Sequence, residues 1–134
     1  MINYHEINIG DLVNAEYGGQ MKEGEVINLN GDEKQVCVES GDQEFWFEAE
    51  HVFPIPLSDE QMLALNFSKE IHEDGTVKFS RESFRLVLKA DHDFSSLEMW
   101  YREDMRVHPN VHYVHQLQNY YLQMTKVPLT KDIA

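Results

Sequence analysis

The run Gly24-Glu25-Val26-Ile27-Asn28-Leu29-Asn30-Gly31-Asp32-Glu33-Lys34-Gln35-Val36-Cys37-Val38-Glu39-Ser40-Gly41-Asp42-Gln43-Glu44-Phe45-Trp46-Phe47-Glu48 decides the fold. Apolar and polar residues alternate within its short segments, as half-buried strands require. Asn30-Gly31-Asp32 and Ser40-Gly41-Asp42 are the residue types that tight hairpin connections favour. The pattern predicts strands over 24–29, 35–39 and 44–48. Upstream, Ile9 to Ala15 begins with a turn and runs into a further strand, which Gly18-Gly19 breaks. Downstream, Ala49 to Phe53 reads as a short helical turn. Pro54 and Pro56 then impose extended backbone and end the unit.

This rhythm consists of Gly10-Asp11-Leu12-Val13, then Gly24-Glu25-Val26-Ile27-Asn28-Leu29, two short alternating strands and a closing turn before Pro54-Ile55. It resembles SH3-like small barrels of the KOW and Tudor type, with Val52 and Phe53 covering the open end. Such barrels often bind nucleic acid or peptides, so the resemblance implies a binding role.

The remainder, residues 58–134, predicts an α+β unit. Ser58 is placed to cap a helix over 58–66, with Gln61 answering it three residues later. Met62, Leu63, Leu65 and Phe67 supply its apolar side. Three antiparallel strands follow, over 76–79, 84–88 and 97–101, joined by polar loops. Met105 to His108 either continues the meander or forms a loop. A last helix is expected over 110–125, with Pro109 in its first turn. Tyr113, Val114, Leu117, Tyr120, Tyr121 and Met124 fall on one third of its circumference and should pack on the sheet. The fold class is therefore α+β: an SH3-like barrel over 1–57, then a three-stranded antiparallel sheet packed by two helices over 58–134.

Two segments, Pro54-Ile55-Pro56-Leu57 leading into the first helix and Tyr113-Val114-His115-Gln116-Leu117-Gln118-Asn119 in the last, are similar to a group of small proteins of bacterial phages, prophages and mobile elements. The resemblance implies such an origin and supplies no catalytic residues.

Charge narrows the classes of function. The chain of 134 residues has a formal net charge of −13. Residues 1–57 hold 12 acids against 2 bases, a net of −10, and residues 58–134 hold 12 against 9, a net of −3. Phosphate binding rests on clustered Lys and Arg, so nucleic acid is an unfavourable partner for residues 1–57. An acidic surface suits a basic protein partner instead. One cysteine, no apolar run of bilayer length and no leader-like N-terminus predict a cytoplasmic protein, in the host cytoplasm if it is phage-encoded.

Three constellations are candidates. Trp46, flanked by Glu44 and Glu48, and Trp100 are candidate anchors for a protein partner. Trp46 must point away from Phe45 and Phe47, so it either lies on the surface or packs between the two units. Arg81, Arg85, Lys89, Arg102 and Arg106 form an alternative, nucleic-acid-associated set. His108, His112 and His115 could hold a metal if one helix aligned them, although they sit opposite the apolar stripe and should face water. Asp91-His92-Asp93 reads as turn chemistry, and Cys37 as a small packing group. Phosphate-loop, nucleophile-elbow and zinc-protease motifs are absent from the sequence. The expectation is a non-enzymatic phage-type accessory protein, without cofactor, that binds another protein through an acidic surface.

Overall fold

The structure, a computed structural model, describes residues 2–95, 97–107 and 111–130. They form two antiparallel sheets of five strands each and two α-helices, in two units. The first unit holds the residues up to Pro56 together with Tyr113–His115, and the second holds Leu57–His112 and the residues from Gln116 onward. The expected division, 1–57 and 58–134, did not include this three-residue return. Pro56 forms an antiparallel bridge with Tyr113, and the Val114 N–H donates to the Ile55 carbonyl at 2.8 Å.

In the first unit, a 3₁₀ turn at Tyr4–Glu6 precedes β1 (Leu12–Tyr17), β2 (Gln20–Asn30), β3 (Gln35–Ser40) and β4 (Gln43–Glu48). A second 3₁₀ turn, Ala49–His51, leads into β5 (Val52–Phe53). The strand order is β4-β3-β2-β1-β5. Gly18 and Gly19, at φ 58° and 80°, form a two-residue connection between the paired Tyr17 and Gln20. The glycine pair therefore turns the chain rather than merely breaking it, and β2 starts four residues earlier than expected. Gln20 to Glu23 lack an apolar period; backbone pairing to β1 holds them extended.

Val13, Ala15, Val26, Val36, Val38 and Val52 meet with Ile2 and Ile7 in one core. Ile27 sits at a register shift between Val26↔Val38 and Asn28↔Cys37. Gly24 lies so close to β3 that a Cβ would come within 2.6 Å of both the Glu39 carbonyl oxygen and Val38 Cγ1. The sheet curls. Three inter-strand spacings separate β1 from β4, about 14 Å in a flat sheet. Yet Tyr17 on β1 and Phe45 on β4 stack with ring centroids 5.3 Å apart. The end strands β4 and β5 do not pair with each other, so the sheet is not closed by hydrogen bonds.

In the second unit, Ser58 Oγ accepts the Gln61 N–H at 3.3 Å and caps α1 (Asp59–Ala64). Met62, Leu65 and Phe67 are buried, whereas Leu63 is exposed. The sheet contains β6 (Ser68–Ile71), β7 (Val77–Arg81), β8 (Phe84–Leu88), β9 (Leu97–Tyr101) and β10 (Asp104–Val107), ordered β10-β9-β8-β7-β6. It has five strands, not the three expected. The three recognised strands are the inner ones, whose buried residues alternate. Edge strand β6 buries none of its four residues, so no apolar period marks it. Pairing with β7 defines it instead.

The last helix, α2, spans Val114–Thr125. It does not begin at 110, because Tyr113 is extended in its bridge to Pro56. Pro109, the expected first-turn residue, lies outside the described residues. Val114, Leu117 and Tyr121 of the predicted stripe are buried, and Tyr113, Tyr120 and Met124 are half-buried. Phe84 of β8 meets Tyr121 edge-on at 4.9 Å and Phe67 at 6.1 Å. Gln118 Nε2 donates to the Leu129 carbonyl at 2.9 Å and fastens the segment after the helix. Among the described residues, no helix is long and apolar enough to cross a membrane.

Candidate functional site

Strand β4 ends the first sheet and is the most exposed strand of its core-forming set. Only Phe47 is half-buried; its other five residues are exposed. Register assigns its two faces. Phe45 and Phe47 pair with Val38 and Val36 and share the core-side face. Glu44, Trp46 and Glu48 pair with Glu39, Cys37 and Gln35 and share the outer face. Trp46 is 47% exposed. Gln35 Nε2 donates to Glu48 Oε1 at 3.2 Å.

On the core-side face the curl leaves an open hollow of about 50 Å³. Ala15, Tyr17, Lys22, Val38, Phe45 and Phe47 line it. Phe45 stacks on Tyr17 and meets Phe47 edge-on at 6.5 Å. Sequence reading missed Tyr17 here. Its signal was parity: it is two and four residues beyond the core-facing Ala15 and Val13. Cys37, behind Trp46, is buried, and its thiol is pushed above the ordinary range by burial first, then by Glu44 and Glu39. A disfavoured thiolate makes it a packing group rather than a nucleophile.

Trp100 lies on β9 of the second unit, half-buried, with the Arg85 guanidinium 5.3 Å from its ring centre. The five basic residues of the nucleic-acid alternative do not share a face. Arg85 pairs with Trp100 on the outer face, whereas Arg81 and Arg106 pair with Phe84 and the buried Met99 on the other. Arg81 Nη1 donates to the Leu65 carbonyl at 2.7 Å and is committed to holding the fold. Arg85 Nη2 donates to the Arg102 carbonyl at 2.6 Å. Lys89 and Arg102 stand in connections outside the strands.

The histidines separate as well. His108 lies outside the described residues. His112 is exposed and precedes α2, its N–H donating to Gln116 Oε1 at 2.8 Å. His115 is 3% exposed, contrary to the expected water-facing position. Its ring lies nearly parallel to that of Tyr113 at 6.1 Å, and its Nδ1 is buried with no hydrogen-bond partner among the described residues. Burial lowers its pKa, against the opposing pull of Glu6.

A group unseen in the sequence joins Asp59, Asp91 and His92, whose ligand-type atoms lie within 4.8 Å of one another. Lys69 Nζ occupies that ground, 2.5 Å from Asp59 Oδ2 and 2.7 Å from Asp91 Oδ1. Hydrogen bonds to Asp59 and then Asp91 raise the Lys69 pKa, and the bond from Lys69 lowers that of Asp91. The ammonium takes the place a metal cation would need, so the cluster reads as an ion-pair network tying α1, β6 and the loop after β8. Asp93 Oδ1 accepts the Ser95 N–H at 3.0 Å, the turn chemistry its sequence suggests.

No protein-family model, no curated protein and no solved structure matches this chain.

Proposed function

We propose that the chain is a phage-type or mobile-element accessory protein that binds another protein through the acidic, aromatic face of its first unit. We read that unit as an SH3-like small barrel. The strand order β4-β3-β2-β1-β5, the 3₁₀ turn before β5 and the curl that brings Tyr17 to Phe45 support that reading. The observation that carries the binding role is Trp46, half-exposed between Glu44 and Glu48. A large aromatic side chain at the surface offers the contact that interface hot spots use, and the flanking carboxylates select basic partners. Trp100 is a second candidate anchor, on the other unit.

The test is affinity capture by the full chain from cells expressing it, beside Trp46→Ala. The expected result is one reproducible partner, lost with Trp46→Ala while the melting temperature stays unchanged. A partner that binds the variant equally well sinks the proposal.

A further inference from the structure

We infer that the free edge of β4 receives an extended, basic segment of a partner protein as a sixth strand of the first sheet. This deepens the binding role proposed above and rests on it.

An end strand presents a row of unpaired backbone N–H and C=O groups, and proteins normally guard such rows with Pro, Lys, bulges or very short strands. Strand β4 is guarded only by the carboxylates of Glu44 and Glu48, which repel an acidic strand and admit a basic one. It contains no Pro and no Lys, runs six residues, and pairs with β3 in unbroken register from Gln35↔Glu48 to Ser40↔Gln43. Strand addition is a standard route by which an exposed edge takes up a peptide, with backbone bonds giving affinity and alternate side chains giving specificity.

The two faces of β4 define those side chains. On the core side, the new strand would lie beside Phe45, Phe47 and the open hollow, and apolar residues suit those positions. On the outer side it would meet Glu44, Trp46 and Glu48, where Lys or Arg finds carboxylates and an indole ring. The preferred segment alternates basic and apolar residues over about five or six positions, the length of β4. A second copy of this chain is disfavoured. Antiparallel self-pairing centred on Trp46 sets Glu44 directly against Glu48 of the copy, and like charges opposed across strands destabilise. Both copies would also bring together surfaces whose first 57 residues carry a net of −10.

The probe is a nine-residue capped peptide of alternating Lys and Val, added to the ¹⁵N-labelled full chain. Two controls are its Glu-for-Lys counterpart and a version N-methylated on alternate residues. Amide exchange should slow by at least about tenfold at alternate β4 residues as their free groups gain partners. Affinity should fall by about tenfold between about 0.05 and 0.5 M salt. Neither control should bind, and Glu44→Lys with Glu48→Lys should transfer preference to the Glu peptide. The inference is overturned if the Lys–Val peptide does not bind, if β4 exchange is unchanged, or if the N-methylated version binds as well. Binding that is lost with Trp46→Ala but leaves β4 exchange unchanged rejects strand addition and leaves the broader binding role standing. Partner capture insensitive to Trp46→Ala rejects that role itself.

Discussion

The phenol ring of Tyr17 lies 5.3 Å from the phenyl ring of Phe45, with 20° between their planes, although β2 and β3 run between their strands. This pair spans the concave side of the curl. Stacked aromatic pairs contribute beyond their buried area. Tyr17→Ala should therefore destabilise the first unit by about 1 kcal/mol. Urea unfolding followed by Trp46 fluorescence, in a Trp100→Phe background, measures it. A change under about 0.3 kcal/mol would show that the core alone maintains the curl.

Gly24 should tolerate no side chain. Its strand neighbour cannot yield easily, because one of the two atoms at 2.6 Å is a backbone carbonyl oxygen. Gly24→Ala must push β2 from β3 and should cost about 2–3 kcal/mol, in the range of overpacked cores. The same fluorescence assay reads it, and a neutral outcome refutes the close approach.

Asp11 gives a pH signature. It is buried, and desolvation pushes its pKa from 3.8 to about 6 despite the Asn8 N–H that its Oδ2 accepts at 2.8 Å. A carboxyl whose folded pKa is raised stabilises the fold below the unfolded pKa, and that contribution is lost as pH climbs from 3.8 through about 6. Asp11→Asn retains the acceptor without the charge. It should be more stable than the native protein at pH 7 by about 1–2 kcal/mol, after allowance for solvent screening. The advantage should vanish near pH 4. Equal stability at pH 7 would disprove the burial penalty.

His115 acts at the opposite end. Its folded pKa is lowered by burial, so protonation favours the unfolded chain. Stability should decline as pH falls below the ordinary histidine value of 6.5. Replacing His115 with Gln should flatten that decline in an Asp11→Asn background. An unchanged slope would assign the acid sensitivity elsewhere.

Glu82 occupies the two-residue connection between the paired Arg81 and Phe84 with φ at 54°. A side chain in the left-handed region is strained, and glycine is free of that strain at some entropic cost. Glu82→Gly should stabilise the second unit by about 0.5 kcal/mol. Thermal unfolding followed by Trp100 checks it; destabilisation would mean the carboxylate has a contact of its own.

The inner strands were legible because each places one apolar set on one face: Val36 and Val38 on β3, Phe84, Leu86 and Leu88 on β8. The edges were not, since β6 buries nothing and only its ladder to β7 defines it. The start of α2 was misplaced because a pairing between Tyr113 and Pro56, far apart in sequence, overrides local helix preference. At the candidate site, Glu44, Trp46 and Glu48 were readable from alternation, whereas the Tyr17 stack needed the curl. The Lys69 network was invisible, since its members come from residues 59, 69, 91 and 92 and meet only in three dimensions.

The return of Tyr113–His115 to the first unit bears on how the protein is made. A ribosome delivers the residues up to Pro56 early, but the backbone that pairs with Ile55 and Pro56 emerges after Leu57 to His112 has been synthesised. The core of the first unit, drawn from residues between Ile2 and Val52, is delivered early, and only the pairing at Ile55 and Pro56 waits while the second unit is translated. A gene fragment ending at residue 57 would encode a body missing its closing strap, so separating the two halves cleanly requires grafting 113–115 onto the first through a new linker.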